Sequence, residues 1–270
     1  MIYSLLHKGS GAGNQLHRYI MARILALDNG WEFGTIGQEN FKCNDFMSLD
    51  FGGGKDIHYR TEIGTGKIVA SAWELLWEEW DKHCYDPDIN FVEDDTIIDG
   101  NFEDERYFEH RLPEIKEWLK TDSMLMGDNL CVIGFRGGEY YTVPELGLPK
   151  EYYDRAISEM LKINPDMLFE VHTDDLELAK QFFPNYPIIR DIGINWRSMR
   201  YAKYAIIANS SFYLLPRLLK HYEDTDKYKN GGAPDIRSLF SVTIAPRYWN
   251  RYNTKKWDYP YGYYKSFRYI

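Results

Sequence analysis

Apolar residues in this chain alternate between short continuous runs and stripes at helical spacing, a pattern typical of strands and helices that follow one another. In the second half, the continuous runs predict five strands, at 131–133, 167–172, 188–189, 204–208 and 241–245. Amphipathic stripes between these runs predict helices at 152–161, 176–183, 195–203 and 212–222. Such a repeat favours a parallel sheet covered by helices.

The first half opens on the same kind of unit. A strand is predicted at 2–6, followed by a glycine-rich turn at 8–15 and by an apolar helical stripe at 16–27 that Gly30 closes. The further elements predicted are loops and a hairpin at 38–66, a core helix with tryptophans at 73–80, a strand at 96–100 and a helix at 113–120. The two half-chains therefore predict two Rossmann-like α/β domains facing a cleft, which we place at 1–125 and 126–250, with a tail at 251–270.

Composition narrows the class of protein. The net charge of -9 disfavours a nucleic-acid partner, although a local basic pocket for a small anion is compatible with it. No apolar run reaches the roughly 20 residues of a transmembrane segment. Cys43, Cys84 and Cys131 lack the spacing of a disulfide framework or a zinc site. We therefore expect a cytoplasmic protein without a bound metal.

Arg136 is the first candidate for a binding residue. It follows a predicted buried strand and lies between Gly134 on one side and Gly137 and Gly138 on the other. Ligands of open α/β sheets bind at the carboxyl ends of the strands, and a guanidinium offers a fork of donors to phosphate or carboxylate oxygens. The alternative is an ordinary arginine in a surface ion pair.

Two further strand ends should meet Arg136 at the same edge of the sheet. Their hydroxyls, carboxylates and helix-start amides suit a nucleotide diphosphate. The residues are Thr173, Asp174 and Asp175 at one strand end and Ser210, Ser211 and Phe212 at the other. The alternative is that the aspartates and serines cap the helices that follow them.

The glycine-rich turn of the first half is a candidate anion site. Gly11, Gly13 and Asn14 lie where a predicted helix begins, and the amides of a helix start attract anions. The turn has neither the Lys-Ser/Thr pair of a P-loop nor the spacing of a dinucleotide fingerprint. His17 lies on the first helical turn, where it is a further candidate for a phosphate contact. The alternatives are a plain tight turn and a surface or capping histidine.

These motifs, taken in order, resemble a known family. The segments are GAGNQ, IIDGNFEDERYF, VIGFRGGEY, FEVHTDD, YAIIANSSF and TIAPRYW. Together they resemble the fucosyltransferase superfamily that uses GDP-fucose, above all the bacterial α1,2-fucosyltransferases, from about Lys8 to Trp249. The opening KGSGAGNQLHRY is also similar to the α1,6 enzymes. The resemblance implies a GT-B fold and inverting, metal-independent transfer of fucose to a sugar hydroxyl, with GDP-fucose as donor substrate and no cofactor.

The arginine motif departs from the family pattern, which is His-x-Arg-Arg-Gly-Asp. Gly134 replaces the histidine, Gly137 replaces the second arginine, and Glu139 stands in the place of the aspartate. The arginine that is kept, Arg136, is the one that the resemblance associates with the β-phosphate of the donor.

The other two motifs match more closely. The resemblance links Asp174 and Asp175, with Thr173 before them, to guanine recognition. Ser210, Ser211 and Phe212 match an Asn-Ser-Ser/Thr-Phe motif, but the tryptophans and glycine that usually follow are replaced by Tyr213-Leu214-Leu215.

The predicted activity is therefore that of an inverting fucosyltransferase with a nucleotide sugar and a glycan acceptor as its partners. Arg136 and the glycine-loop amides would stabilise the leaving diphosphate, and Glu139 is the candidate base, with Glu145 as the second choice. Two alternatives stay open: a binding protein of the same fold that has lost catalysis, and a transferase for another nucleotide sugar.

The chain ends in a segment rich in cations and aromatic residues, 247–270, although it is acidic overall. We expect these aromatic residues to pack across the first domain. The alternative is a contact surface for an acceptor sugar or for a membrane with anionic head groups.

Overall fold

The computed structural model describes residues 1–53, 67–70, 89–90, 92–100, 102–143, 146–231, 240–247 and 264–270. They belong to two compact units, Met1–Lys120 and Thr121–Ile270, each with its own parallel β-sheet. The prediction of an α/β fold with two such units is confirmed. The helix predicted from the tryptophans at 73–80 lies outside the described residues. Across the described ranges, none of the helices is long and apolar enough to cross a membrane.

The first unit is a four-stranded sheet in the order β2-β1-β4-β3. Its main elements are β1 (Ile2–Leu5), α1 (Ala12–Asn29), β2 (Phe33–Ile36), β3 (Lys67–Ala70), β4 (Thr96–Asp99) and α2 (Leu112–Trp118). All paired strands run parallel. The predicted strands at 2–6 and 96–100 are the central pair, whereas the edge strands β2 and β3 were not predicted from the sequence.

Helix α1 follows the apolar stripe seen in the sequence. Leu16, Ile20 and Ile24 are buried, but Leu27 at the end of the stripe is 46% exposed. The helix ends at Gly30, which adopts the left-handed conformation with φ 68°. Its N–H donates to carbonyls of the last helical turn. A glycine at this position costs little strain, because it has no Cβ to clash in that conformation.

The second unit is a six-stranded sheet in the order β10-β9-β8-β5-β6-β7. Its strands are β5 (Leu130–Phe135), β6 (Leu168–Thr173), β7 (Ile188–Ile189), β8 (Tyr204–Ile206), β9 (Val242–Ala245) and β10 (Arg268–Tyr269). Its helices are α3 (Lys150–Ile163), α4 (Leu176–Phe182), α5 (Ile192–Tyr201) and α6 (Ser211–Gly231). The strands and helices predicted for this half are confirmed, although α5 begins earlier and α6 ends later than the sequence pattern indicated.

Strand β5 is the centre of this sheet and runs further than its apolar core predicted. It pairs in parallel with β6 on one side, where Gly134 is opposite His172 and Phe135 is opposite Thr173. On its other side it pairs with β8, and the N–H of Ala208 beyond that strand still donates to the carbonyl of Gly134 at 3.0 Å. The strand order therefore changes direction between β5 and β8.

A buried arginine joins three elements of the second unit. The Nη1 atom of Arg217, in α6, donates to the carbonyls of Met199 and Ala202 at 2.8 and 2.7 Å, where α5 ends. Its Nε atom donates to the hydroxyl of Thr243, in β9, at 2.8 Å. Burial lowers the pKa of this guanidinium to about 10, so it stays charged near neutral pH. The arginine thus satisfies carbonyls that the end of α5 leaves without helical partners.

The described end of the tail belongs to the second sheet. Strand β10 pairs in parallel with β9, and Tyr264 just before it is fully buried. The sequence predicts that the tail packs across the first domain, whereas residues 264–270 belong to the second unit and extend its sheet. Residues 248–263 lie outside the described residues, so the two interpretations of that part of the tail stay predictions.

Candidate functional site

Arg136 lies at the carboxyl end of β5, next to the point where the strand order changes direction. Its side chain is 24% exposed and forms ion pairs with Asp174 and Glu139. The guanidinium carbon also lies 4.9 Å from the ring centre of Tyr140, within the range of a cation–π contact. The arginine is therefore oriented from three sides but keeps access to solvent.

Asp174 holds the loop that carries Arg136. One of its carboxylate oxygens accepts the N–H of Gly137 at 2.8 Å, and the other pairs with the guanidinium of Arg136. Because a single side chain bonds both the backbone and the charged group, the position of the guanidinium depends on this aspartate.

Asp175 links the same loop to helix α4. One carboxylate oxygen accepts the N–H of Gly138 at 3.1 Å, and the other caps α4 by accepting the N–H of Leu178 at 3.1 Å. The hydroxyl of Thr173 in turn accepts the N–H of Asp175 at 2.9 Å. The N–H groups of Leu178 and Gly138 hold the pKa of the Asp175 carboxyl below its usual value, so it is ionised at neutral pH. The sequence alternative of a helix cap is thus confirmed for Asp175.

The loop approaches Asp175 so closely that it leaves no room for a side chain at position 137. A Cβ atom added to Gly137 would lie 2.5 Å from the Cβ of Asp175. The backbone of Gly137 has a negative φ of -103°, so the obstacle is the neighbouring atom and not a left-handed conformation. This contact gives a physical reason why position 137 carries a glycine.

A similar contact accounts for Gly134. A Cβ atom at this position would lie 2.8 Å from the ring of Tyr213 and 2.9 Å from the end of Met199. The hydroxyl of Tyr213 lies 3.3 Å from the carbonyl of Phe135 and 3.2 Å from the carbonyl of His172, and so bridges the ends of β5 and β6. Burial raises the pKa of Tyr213, which keeps its hydroxyl protonated as a donor. The ring of Tyr213 occupies the space that a side chain at position 134 would need.

The serine motif lies beside the end of β5. Ser210 is buried, Ser211 is the first residue of α6, and the ring of Phe212 packs edge-on against Trp196 at 5.5 Å. Asn209, before them, donates from its side chain to the carbonyl of Leu146 at 2.9 Å. The structure therefore brings this motif to the same sheet edge as Arg136, with the helix start of α6 next to the strand end.

The glycine-rich turn belongs to the first unit and leads from β1 into α1. Gly11 is the exposed N-cap of the helix, Gly13 is buried, and Asn14 is partly exposed. The side chain of Arg18 donates to the hydroxyl of Ser10 at 2.9 Å and so fixes the turn. No acidic residue lies in the first turn of α1. The amides near Gly11 therefore have no carboxylate beside them on that turn.

His17 is neutral and donates a hydrogen bond in this structure. Its Nδ1 atom lies 2.9 Å from the carbonyl of Gly13, which can only accept, so this nitrogen carries the proton. Burial lowers the pKa of the imidazole to about 4. A phosphate oxygen is also an acceptor, so a contact between phosphate and the Nε2 atom would require a second proton on the ring.

The structure describes one of the two candidate bases. Glu139 lies on the 3-10 helix Gly138–Tyr141, with a side chain that is 69% exposed and directed onto Arg136. Glu145 lies outside the described residues. Within the part of the chain that the structure describes, no group of three or more His, Cys, Asp or Glu residues is arranged to hold a metal ion.

Sequence reasoning missed a buried network behind the strand end. The ring of His172 is fully buried, with Nδ1 2.8 Å from the Asn195 side-chain oxygen and Nε2 2.8 Å from Glu170. The Asn195 amide donates to the carbonyl of Thr173 at 3.3 Å, which steadies the turn before Asp174. The signal available was the two-residue spacing of Glu170 and His172, which places both on one face of β6.

Comparison with known proteins gives structural likenesses of low sequence identity. No protein-family model matches the chain. No curated protein matches it. Among solved structures, an α1,6-fucosyltransferase, NodZ, soaked with GDP-fucose is 12% identical with a TM-score of 0.45, over 80% of this chain and 92% of that one. NodZ from Bradyrhizobium is 12% identical with a TM-score of 0.43, over 80% and 93%. The heptosyltransferase WaaC of E. coli with ADP is 12% identical with a TM-score of 0.44, over 100% and 93%.

Proposed function

We propose that this chain is an inverting glycosyltransferase with two GT-B-like domains that transfers fucose from GDP-fucose to a glycan hydroxyl without a metal ion. The observation that carries the proposal is the guanidinium of Arg136 at the carboxyl end of the central strand β5, where the strand order changes direction. Ligands of open α/β sheets bind at such a point, and a guanidinium matches the oxygens of a diphosphate. The order of the sequence motifs supports GDP-fucose as the donor.

The proposed reaction assigns one task to each side chain. The acceptor oxygen bonds to the anomeric carbon of fucose on the face opposite the diphosphate, while the bond from that carbon to the phosphate oxygen breaks. The electron pair of the broken bond leaves with GDP, and Arg136 stabilises the charge that develops there. The proton of the acceptor hydroxyl passes to a carboxylate, for which Glu139 is our candidate.

The departures from the family motif are compatible with this activity, because each is matched by a neighbouring contact. Gly134 makes room for Tyr213, and Gly137 makes room for Asp175. A site that had decayed would be expected to lose such fitted contacts, whereas here the strand ends are bridged and the arginine loop is bonded to both aspartates. These contacts support an intact site over a decayed one, and a turnover measurement separates an enzyme from a binding protein.

A transferase for another nucleotide sugar is the second candidate. It is favoured by the carboxylates of Asp174 and Asp175, whose four oxygens all accept bonds from within the second unit. Each oxygen keeps a further lone pair, but guanine would have to share carboxylates that already hold the arginine loop and cap α4. Selection among nucleotides would then come from other residues.

The experiment is a comparison of nucleotide sugars with the wild-type protein and an Arg136→Ala variant. Thermal stabilisation by GDP-, UDP- and ADP-sugars identifies the donor, and release of the nucleotide measures turnover. We expect Arg136→Ala to lose about 10²- to 10³-fold in kcat, the effect of removing one donor that stabilises charge in a transition state. Arg136→Lys should recover only part of the loss, because an ammonium lacks the fork of donors.

The matched control is Lys180→Ala, which removes one positive charge from the exposed face of α4, where Lys180 pairs with Glu177. This variant should turn over like the wild type. A folded Arg136→Ala protein with the wild-type rate would contradict the proposal. Stabilisation by UDP- or ADP-sugars alone would favour the second candidate, and tight donor binding without any turnover would favour a binding protein.

A further inference from the structure

The guanidinium of Arg136 contacts two carboxylates that are held with different firmness. Its Nη1 atom pairs with Asp174, which is also bonded to the N–H of Gly137 at 2.8 Å. Its Nη2 atom pairs with Glu139, whose carboxylate has no other partner among the described residues. Asp174 is therefore part of the loop structure, whereas Glu139 reaches the arginine from the solvent side.

We infer that Glu139 is a displaceable substitute for the phosphate of the ligand. Its carboxylate occupies the Nη2 atom of Arg136 until a phosphate of the nucleotide sugar takes that place. The inference rests on the proposed function, because the incoming anion is the diphosphate of the donor. It makes the contact between Glu139 and Arg136 an inhibitory one that each donor molecule must break.

The contacts around the arginine decide which carboxylate leaves. An exposed ion pair such as that of Glu139 changes an equilibrium constant by only about two- to five-fold. Displacing Asp174 would break its ion pair and also disturb its bond to the Gly137 N–H. A diphosphate carries more charge than a carboxylate and offers two oxygens to one guanidinium, so it competes well for the weaker position.

The exchange also links donor binding to the role of Glu139 as the candidate base. In the absence of the donor, the Glu139 carboxylate is held on the guanidinium of Arg136. When the diphosphate replaces it, the carboxylate is released beside the leaving group, where it can accept the proton of the acceptor hydroxyl.

The test is the affinity of a Glu139→Gln variant for GDP and for inorganic pyrophosphate, measured by titration calorimetry. The amide keeps the size of the side chain but removes the competing charge. We expect both probes to bind about two- to five-fold more tightly to the variant than to the wild type, the range set by an exposed ion pair. In an Arg136→Ala background the same substitution should give no gain, because the contact that it relieves is already absent.

The matched control is Glu177→Gln, which removes an exposed negative charge from α4 and should leave both affinities unchanged. If Glu139→Gln binds GDP no more tightly than a wild type whose binding requires Arg136, the inference is wrong and the proposed function stands. If GDP binds equally with and without Arg136, or binds neither protein, the inference and the proposed function are both wrong.

Discussion

An arginine at position 137, as in the motif that the sequence resembles, should destabilise this protein because of a single contact. In Gly137→Arg or Gly137→Ala, the new Cβ atom meets the Cβ of Asp175 at 2.5 Å and its carboxyl group at 3.2 Å. Asp175 has little freedom to withdraw, because it caps α4 at Leu178 and bonds Gly138. We expect a loss of about 1–3 kcal/mol in the free energy of unfolding, the usual cost of overpacking.

Urea denaturation followed by tryptophan fluorescence measures this loss. Gly137→Ala isolates the effect of the Cβ atom, and Gly137→Arg adds the charge that the family motif carries. The matched control is Gly138→Asn, at the next position: its φ of 55° suits asparagine, and an added Cβ comes no closer than 3.7 Å to Asp174. This control should cost less than Gly137→Ala.

A double-mutant cycle ties the loss to the named contact. In a protein that already carries Asp175→Gly, the atom that obstructs the new side chain is absent, so Gly137→Ala should be nearly neutral there. If Gly137→Ala is as stable as the wild type, or if Gly137→Arg raises the transfer rate, our explanation for the glycine at position 137 is wrong.

Two further predictions concern pH and metals. Stability should fall as pH drops from 6.5 towards 4, because burial lowers the pKa of His17 to about 4 and the unfolded chain binds the proton first. By pH 4, this histidine alone lowers the free energy of unfolding by roughly 3 kcal/mol relative to neutral pH. His221, with a pKa lowered to about 3 by burial, acts in the same direction. Urea titrations at several pH values measure the combined effect of the two histidines, and His17→Phe should flatten the pH dependence. EDTA should leave nucleotide-sugar turnover unchanged, because the carboxylates of Asp174 and Asp175 already accept N–H groups of the arginine loop and of α4. A strict requirement for Mg²⁺ or Mn²⁺ would overturn this assignment.

The sequence predicted the central strands well and the edge strands poorly. Strand β5 is a buried apolar run, and such runs identify interior strands of parallel sheets. Strands β2 and β3, at the two edges of the first sheet, are four residues long with the sequences FGTI and KIVA. Strand β2 contains a glycine and strand β3 a lysine, so a stretch of only four residues resembles a loop. Strand β10 has only two residues and is defined by its pairing with β9, which no local pattern reveals.

The candidate site shows the same division. The positions of Arg136, Asp174 and Ser210 follow from the rule that parallel strands end at one edge. The partners of these side chains do not, because they depend on register and on the path of the loop after β5. Gly137 and Gly134 looked like losses from a motif, and only the atoms of Asp175 and Tyr213 beside them give the replacements a physical cause.

The central position of β5 has a consequence for the order in which the second unit assembles. This strand comes first in the unit, but its two partners are reached at different times: β6 follows after one helix, and β8 follows only after three. The entropy cost of closing the chain rises with the length of the loop, so the β5–β6 pair loses less entropy on forming than the β5–β8 pair. The bonds from Asp174 and Asp175 to the arginine loop belong to that early pair, whereas Tyr213 arrives with the late half and closes over strand ends that have already been joined.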